Sequence, residues 1–278
     1  MSLTDSKIEL LAERARAIRK AVIGMLVAAR SGHTASPLGT ADILALLYFH
    51  TLKHDPTNPT WPERDRFVLS SGHICPVLYA TMALAGYFPV KDLLTLRRYG
   101  SPLQGHPHRE WLPGLENSSG PLGEGLSQAV GMALGLRLDN PHTSQHVFCL
   151  LSDAEMECGN TWEAALMAGK EKLHNLIAIV DRNMIQIGGT TEEVMPLEPV
   201  LEKWQAFGWQ VIEVDGHNFS DLDDAINLAK AAWYRPAVII AHTIPGKGVT
   251  DFEGRYEWHG KAPTEEEGKK ALEEISLN

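Results

Sequence analysis

Apolar residues recur at helical spacing from about residue 7 to 30, at Ile8, Leu11, Ala15, Ile18, Val22 and Leu26. That spacing sets one apolar stripe on one face of a long helix. Ser31-Gly32-His33 interrupts it, as glycine commonly does at a helix end. Thr40 stands where a cap is expected for a second helix over 41–51. Short apolar runs then alternate with helical patterns. The runs at 65–70, 146–151, 176–180, 210–214 and 237–242 read as strands. More helix is expected up to about 86, over 90–99, 126–138 and 160–172, near 199–207 and over 220–232. Residues 100–120 are rich in Gly, Pro and Ser and predict a long loop of the kind that carries function. The carboxylates Glu265, Glu266, Glu267, Glu273 and Glu274 read as an exposed helix end. Strand alternating with helix predicts an α/β fold: a doubly wound, mostly parallel sheet with helices on both faces. The expected organisation is one α/β domain over 1–278 that includes an N-terminal helical segment, about 5–53.

Composition narrows the function. The chain has 278 residues, is 44% hydrophobic and 22% charged, and carries a formal net charge of −10. No basic patch is visible, so neither nucleic acid nor an anionic membrane is an expected partner. Three cysteines, Cys75, Cys149 and Cys158, lack CxxC spacing, which points to a reducing compartment. No apolar run approaches a membrane span, and the first residues form a charged amphipathic pattern rather than a signal peptide. A soluble, cytoplasmic protein is expected.

Polar or glycine-rich tips follow the predicted strands at Ser71-Gly72-His73, Ser152-Asp153-Ala154, Asp181-Arg182-Asn183, Asp215-Gly216-His217 and Gly246-Lys247-Gly248. In an open parallel sheet ligands bind beyond the carboxyl ends of the strands, so five such tips at one edge predict one shared site. Asp153 and Asn183 lie 30 apart (183 − 153), the length of one β-α-β unit, which delivers both side chains to the same edge. A carboxylate and an amide oxygen are hard ligands suited to Mg²⁺ or Ca²⁺, completed by phosphate oxygens and water. The start of the intervening helix adds partial positive charge there. Lys247 is a candidate phosphate ligand, with a solvated turn lysine as the alternative. The segment 118–125 is not a P-loop, because it lacks the Gly-Lys-Ser/Thr ending.

Among the histidines beside glycine, four stand out: His33, His73, His106 and His259. Singly, each is explained by turn chemistry. Together with their flanks they fall in seven ordered segments: 31–43, 65–73, 105–108, 118–135, the Asp153–Asn183 unit, 215–218 and 258–263. That order resembles the N-terminal, diphosphate-binding portion of transketolase, from about residue 7 to 263. The chain stops where a one-chain transketolase continues, so the resemblance is to the small subunit of a split transketolase.

The resemblance implies thiamine diphosphate and Mg²⁺ (or Ca²⁺) as cofactors. It implies that Asp153, Asn183 and the main-chain oxygen of Ile185 hold the metal against the diphosphate. The N–H near Ala154 would bind a diphosphate oxygen. His73 and His259 would contact the diphosphate and thiazolium end, and Gly120 and Leu122 would line the cofactor. Leu122 has a second reading as ordinary core packing. His33 and His106 would face the substrate channel, where imidazoles donate hydrogen bonds and move protons near neutral pH. The reaction implied is transfer of a two-carbon ketol unit from a ketose to an aldose, with sugar phosphates as substrates. The implied partner is a second transketolase subunit carrying the pyrimidine-binding and C-terminal domains, in a heterotetramer, without which this chain would be inactive.

The chain departs from the family pattern at Ser152 and Ala154, where the family has glycine, and at Cys158, where it has glutamate. The added methyl of Ala154 is expected to crowd the diphosphate and weaken the cofactor site. Two other readings stay open from sequence: the cofactor subunit of a 2-oxoacid decarboxylase or dehydrogenase, and a non-catalytic subunit with a decayed site.

Overall fold

A computed structural model describes residues 3–277; the outermost limits of the expected domain, Met1 and Asn278, lie outside the described residues. The chain opens with α1 (Asp5–Ala29), α2 (Ala35–Gly39) and α3 (Ala41–Leu46). α1 buries Leu11, Ala15, Ile18, Val22 and Leu26, the stripe read from sequence. The sequence pattern does not predict α2. Five small or apolar residues form it, too few for a periodic signal. Its presence changes the role of Thr40, whose hydroxyl donates back to the Ser36 carbonyl at 2.8 Å instead of capping α3. The chain then runs through β1 (Arg66–Leu69), α4 (Cys75–Ala85), α5 (Glu124–Asp139), β2 (Val147–Ser152), α6 (Gly159–Glu171) and β3 (Leu176–Arg182). A small ribbon, β4 (Ile185–Gln186) with β5 (Gly189–Thr190), precedes α7 (Thr191–Val194) and α8 (Val200–Ala206). β6 (Gln210–Asp215), α9 (Phe219–Lys230), β7 (Ala237–His242) and α10 (Glu265–Leu277) complete it. The segment expected as helix over 90–99 is a 3₁₀ turn, Val90–Thr95.

The five long strands form one parallel sheet in the order β1-β2-β3-β7-β6. Strand side chains alternate between faces, and here each face has its own core. Phe148 and Leu150 of β2, with Ile177 and Ile179 of β3, pack toward α1, α3, α4 and α9. Val147, Cys149, Leu151, Ala178 and Val180 pack on the other face against α5, α6 and α8. The doubly wound expectation is met. α10 is only half exposed, since Ala271 and Ile275 are buried. Because every strand in the sheet is parallel, the tips of β1, β2 and β3 emerge at one edge, with Ser152 in register with Asp181.

Candidate active site

At that edge lies a cleft of about 520 Å³, within the usual range for small-molecule sites. His33, His73, His106 and His259 line it. Gly120, Leu122, Ala154, Asn183 and Ile185 line it as well. Nine of the ten residues singled out from sequence therefore meet in one place. His73 arrives on a tight turn, Gly72–Ile74, after β1. Gly72 permits it: a Cβ there would stand 2.8 Å from the Gly120 nitrogen, so only glycine lets the His73 and Gly120 loops touch.

Asp153, the tenth residue, does not reach the cleft wall. It is fully buried, while its neighbours Ser152 and Ala154 face the cleft. Its Oδ1 accepts from the Ala154 N–H at 2.8 Å. Its Oδ2 accepts from the Met184 N–H at 2.7 Å and from Arg182 Nη1 at 3.1 Å. The Ala154 N–H expected at a diphosphate oxygen thus serves Asp153. Met184 adopts a left-handed backbone (φ 65°) to point its N–H inward. Asn183 is held firmly: its Nδ2 donates to Asp181 at 2.6 Å and to Ser36 Oγ at 3.0 Å, and its Oδ1 accepts from the Ile185 N–H at 3.0 Å. Burial pushes Asp153 up to about 6, against the pull of hydrogen bonds and of Arg182. Burial likewise pushes Asp181 up to about 7, and the charge of Asp153 adds to the rise.

The imidazoles of His33, His73 and His259 form a cluster with ring centroids 4.8–5.4 Å apart. Burial, then repulsion from His259, Arg97 and His106, pushes His33 down to about 4. Burial also pulls His73, His106 and His259 down. All four are therefore neutral near pH 7, each with one donor and one acceptor nitrogen. Nδ1 of His33 and Nδ1 of His259 are buried and make no hydrogen bond within the protein.

Two supporting residues carry no mark in the sequence. Glu155 is fully buried and accepts from Ser70 Oγ, Ser71 Oγ, the Gly123 N–H and the Ser152 N–H. It ties together the loops bearing His73, Leu122 and Asp153. Arg182 is buried beneath Asp153 and also bonds Thr191, Glu192 and Glu198. A glutamate in an acidic stretch and an arginine at a strand end give no burial signal in a single sequence. Cys158 lines the cleft beside Glu157, whose carboxylate accepts from Gln186 at 2.7 Å.

Other expectations need correction. The five strand-end loops do not build one site. Those after β1, β2 and β3 form the cleft. After β6, His217 turns instead to Asp42, at 2.6 Å, and accepts from the Ile244 N–H. Lys247 lines a separate cavity with Arg19, Asp42 and His217, so it is not placed to meet a ligand in the cleft. Strand order explains the loop after β6, which is the far edge of the sheet; the Lys247 turn leaves the cleft although β7 lies beside β3. Leu122 is not core; it is 39% exposed at the cleft rim.

Fold and cleft together define an α/β cofactor domain with its ligand site at the carboxyl ends of parallel strands. Comparison with known proteins specifies the group. Residues 11–278 match the family model for the thiamine diphosphate binding domain of transketolase. The chain is 42% identical over 273 residues to a 6-deoxy-6-sulfo-D-fructose transketolase subunit of Clostridium sp. (strain MSTE9), covering 98% of both chains. It is 38% identical to an apulose-4-phosphate transketolase subunit of Phocaeicola vulgatus, covering 97% of this chain and 95% of that one. It superposes on the crystal structure of Campylobacter jejuni transketolase with a TM-score of 0.90 and 36% identity, covering 96% of this chain but 43% of that one. The chain belongs to the transketolase family, of which it is the thiamine-diphosphate-binding portion.

The residues present fit that cofactor. Among the described residues no group of three or more His, Cys, Asp or Glu side chains is arranged to hold a metal. An ion beside the diphosphate would therefore draw on Asp153 with amide and main-chain oxygens. Asp153 Oδ1 and Asn183 Oδ1 each accept one hydrogen bond, which leaves a lone pair on each. Such hard oxygens match Mg²⁺ or Ca²⁺.

Proposed function

We propose that this chain is the diphosphate-binding subunit of a two-chain transketolase that moves a two-carbon ketol unit from a ketose to an aldose, with sugar phosphates as the substrate class. The convergence of the four histidines with Ala154, Asn183 and Ile185 in one cleft carries this reading. Full-length similarity to proteins named as transketolase subunits supports it. It favours transketolase over the 2-oxoacid alternative and over a decayed site.

Bound thiamine diphosphate supplies the carbon nucleophile that attacks the ketose carbonyl. This chain's own residues would hold and orient the reactants. Asp153, Asn183 and the Ile185 carbonyl would hold Mg²⁺ or Ca²⁺ against the diphosphate. His73 and His259 would contact the diphosphate and thiazolium end. Gly120 and Leu122 would flank the cofactor. His33 and His106, as neutral imidazoles, would donate hydrogen bonds to the sugar hydroxyls and carbonyl oxygen.

A second polypeptide carrying the pyrimidine-binding and C-terminal domains would complete the site, two copies of each chain forming a heterotetramer. The exposed apolar side chains Leu122 and Ile187 at the cleft support such a cover. The compartment assigned is the cytoplasm, which suits the three free thiols.

The test is ketol transfer by the purified chain with its co-purifying partner, thiamine diphosphate and Mg²⁺. Turnover is expected only with both chains. Robust turnover by this chain alone would remove the partner requirement. Absence of Mg²⁺-dependent thiamine diphosphate binding by the complex would remove the whole reading.

A further inference from the structure

We propose that Arg97 is a positioning residue that sets the separation and orientation of His33 and His106 across the cleft, by bridging the two loops that carry them. This role rests on the cleft being the sugar site described above.

The geometry is specific. Arg97 Nη1 donates to Ser31 Oγ at 2.6 Å, two residues before His33. Its Nη2 reaches the Gly105 carbonyl at 3.5 Å, one residue before His106. The guanidinium lies flat on Gly105: a Cβ there would meet Arg97 Nε at 2.9 Å and Cζ at 3.2 Å. Glycine at 105 is thus the residue that admits the plane of the arginine. The same strand of loop is fixed from behind. Cys75 Sγ donates to the Gly105 carbonyl at 3.2 Å, and Tyr79 donates to the Gln104 carbonyl at 3.0 Å. Arg97 is itself held in a left-handed backbone (φ 59°), and its N–H bonds the Leu103 carbonyl at 2.8 Å. A non-glycine residue in that conformation is strained unless its surroundings hold it there.

The bridge also carries a permanent positive charge, because a guanidinium does not lose its proton in proteins. That charge acts on His33 and on His106, and each is pulled down by it in addition to burial. The other charges acting on these rings are imidazoles: His259 and His106 on His33, and His33, His259 and His106 on His73. Arg97 therefore fixes the position of the two channel histidines and adds to the burial that keeps them neutral. Its side chain does not line the cleft, so it acts through them.

The test separates fork from charge. Arg97→Met removes both, and Arg97→Lys keeps the charge but loses the planar fork. The histidine ring protons of the full chain are titrated by NMR, without cofactor or partner. The His33 and His106 midpoints are expected to rise in Arg97→Met and to stay within experimental scatter of wild type in Arg97→Lys. In the complex, kcat/KM for the ketose should fall about 10- to 100-fold in both variants, as expected for misplaced hydrogen-bonding groups. Thiamine diphosphate affinity should stay within about twofold, since the loops that bear Asp153 and Asn183 are untouched. Unchanged histidine midpoints in Arg97→Met, or wild-type kcat/KM in both variants, would overturn the proposal. The NMR arm decides even where the complex shows no transketolase activity, so the two readings fail separately.

Discussion

Arg182 donates to the carboxylate of Asp153 at 3.1 Å, and both side chains are almost completely buried. The proposed metal ligand is thus already half of an ion pair. Breaking a buried pair by removing one partner is far more damaging than the pair's net worth. Arg182→Met should therefore lower stability by about 3–5 kcal/mol, read from urea unfolding, while Arg182→Lys recovers part of the loss. A variant as stable as the parent would show that the Ala154 and Met184 N–H groups suffice to hold the Asp153 carboxyl.

Metal binding needs Asp153 ionised, and burial holds its pKa at about 6. Affinity for Mg²⁺ with thiamine diphosphate should fall about tenfold from pH 8 to pH 5, because protons compete for that carboxylate. Calorimetry across that range checks the slope. Asp153→Asn should abolish Mg²⁺-dependent binding at every pH.

Glu155 accepts from four donors drawn from three loops. Glu155→Ala leaves the Ser70 and Ser71 hydroxyls and the Gly123 N–H without an acceptor, while the Ser152 N–H keeps Ser71 Oγ at 3.0 Å. The expected cost is about 3 kcal/mol or more, since each orphaned buried donor costs about 1–3 kcal/mol. Glu155→Gln keeps two acceptor lone pairs and should cost less. Thermal unfolding distinguishes them; equal losses would mean the charge, not the bonding, matters.

Acid stability should reflect two opposed groups. The pKa of His33 is about 4 in the folded chain against 6.5 unfolded. The unfolded chain therefore takes the proton first as pH falls, and stability is lost between 6.5 and about 4. Asp153 and Asp181 sit at about 6 and about 7 when folded, against 3.8 unfolded. There the folded chain takes the proton first, and stability is gained from about 7 downward. The wild type should show a shallow slope. A His33→Phe/His73→Phe double variant should lose less stability than the wild type on acidification from pH 7 to 5, by on the order of 1 kcal/mol per pH unit, while His106 and His259 still oppose the gain at Asp153 and Asp181. Urea midpoints that fall as steeply with pH in that variant as in the wild type would contradict this balance.

Ser152 and Ala154 replace glycines without backbone strain, since neither has a positive φ. What glycine offers here is room alone. The Ser152→Gly/Ala154→Gly variant should bind thiamine diphosphate about fivefold more tightly, the equivalent of about 1 kcal/mol of relieved crowding. Calorimetry that finds no tightening would show that the methyl clears the diphosphate.

The sheet was readable because strands buried on both faces, such as 147–151 and 176–180, stand out as continuous apolar runs between helical patterns. The cleft was readable because histidines beside glycines mark loops, and an Asp and an Asn one β-α-β unit apart mark strand ends. α2 is illegible because five residues hold too little periodicity. Glu155 and Arg182 are illegible because their burial depends on partners 84 and 29 positions away. Where the loop after β6 falls depends on strand order, and β6 and β7 exchange sequence order for spatial order.

His33 and His259 touch edge to face with ring centroids 5.4 Å apart, though 226 positions (259 − 33) separate them along the chain. Between them run all five strands of the sheet. Ligand occupancy in the cleft is thus a readout of global folding. Limited proteolysis or partial unfolding anywhere in that span should release a bound ligand in step with loss of the whole sheet, which makes cofactor retention a sensitive assay for the integrity of the intact chain.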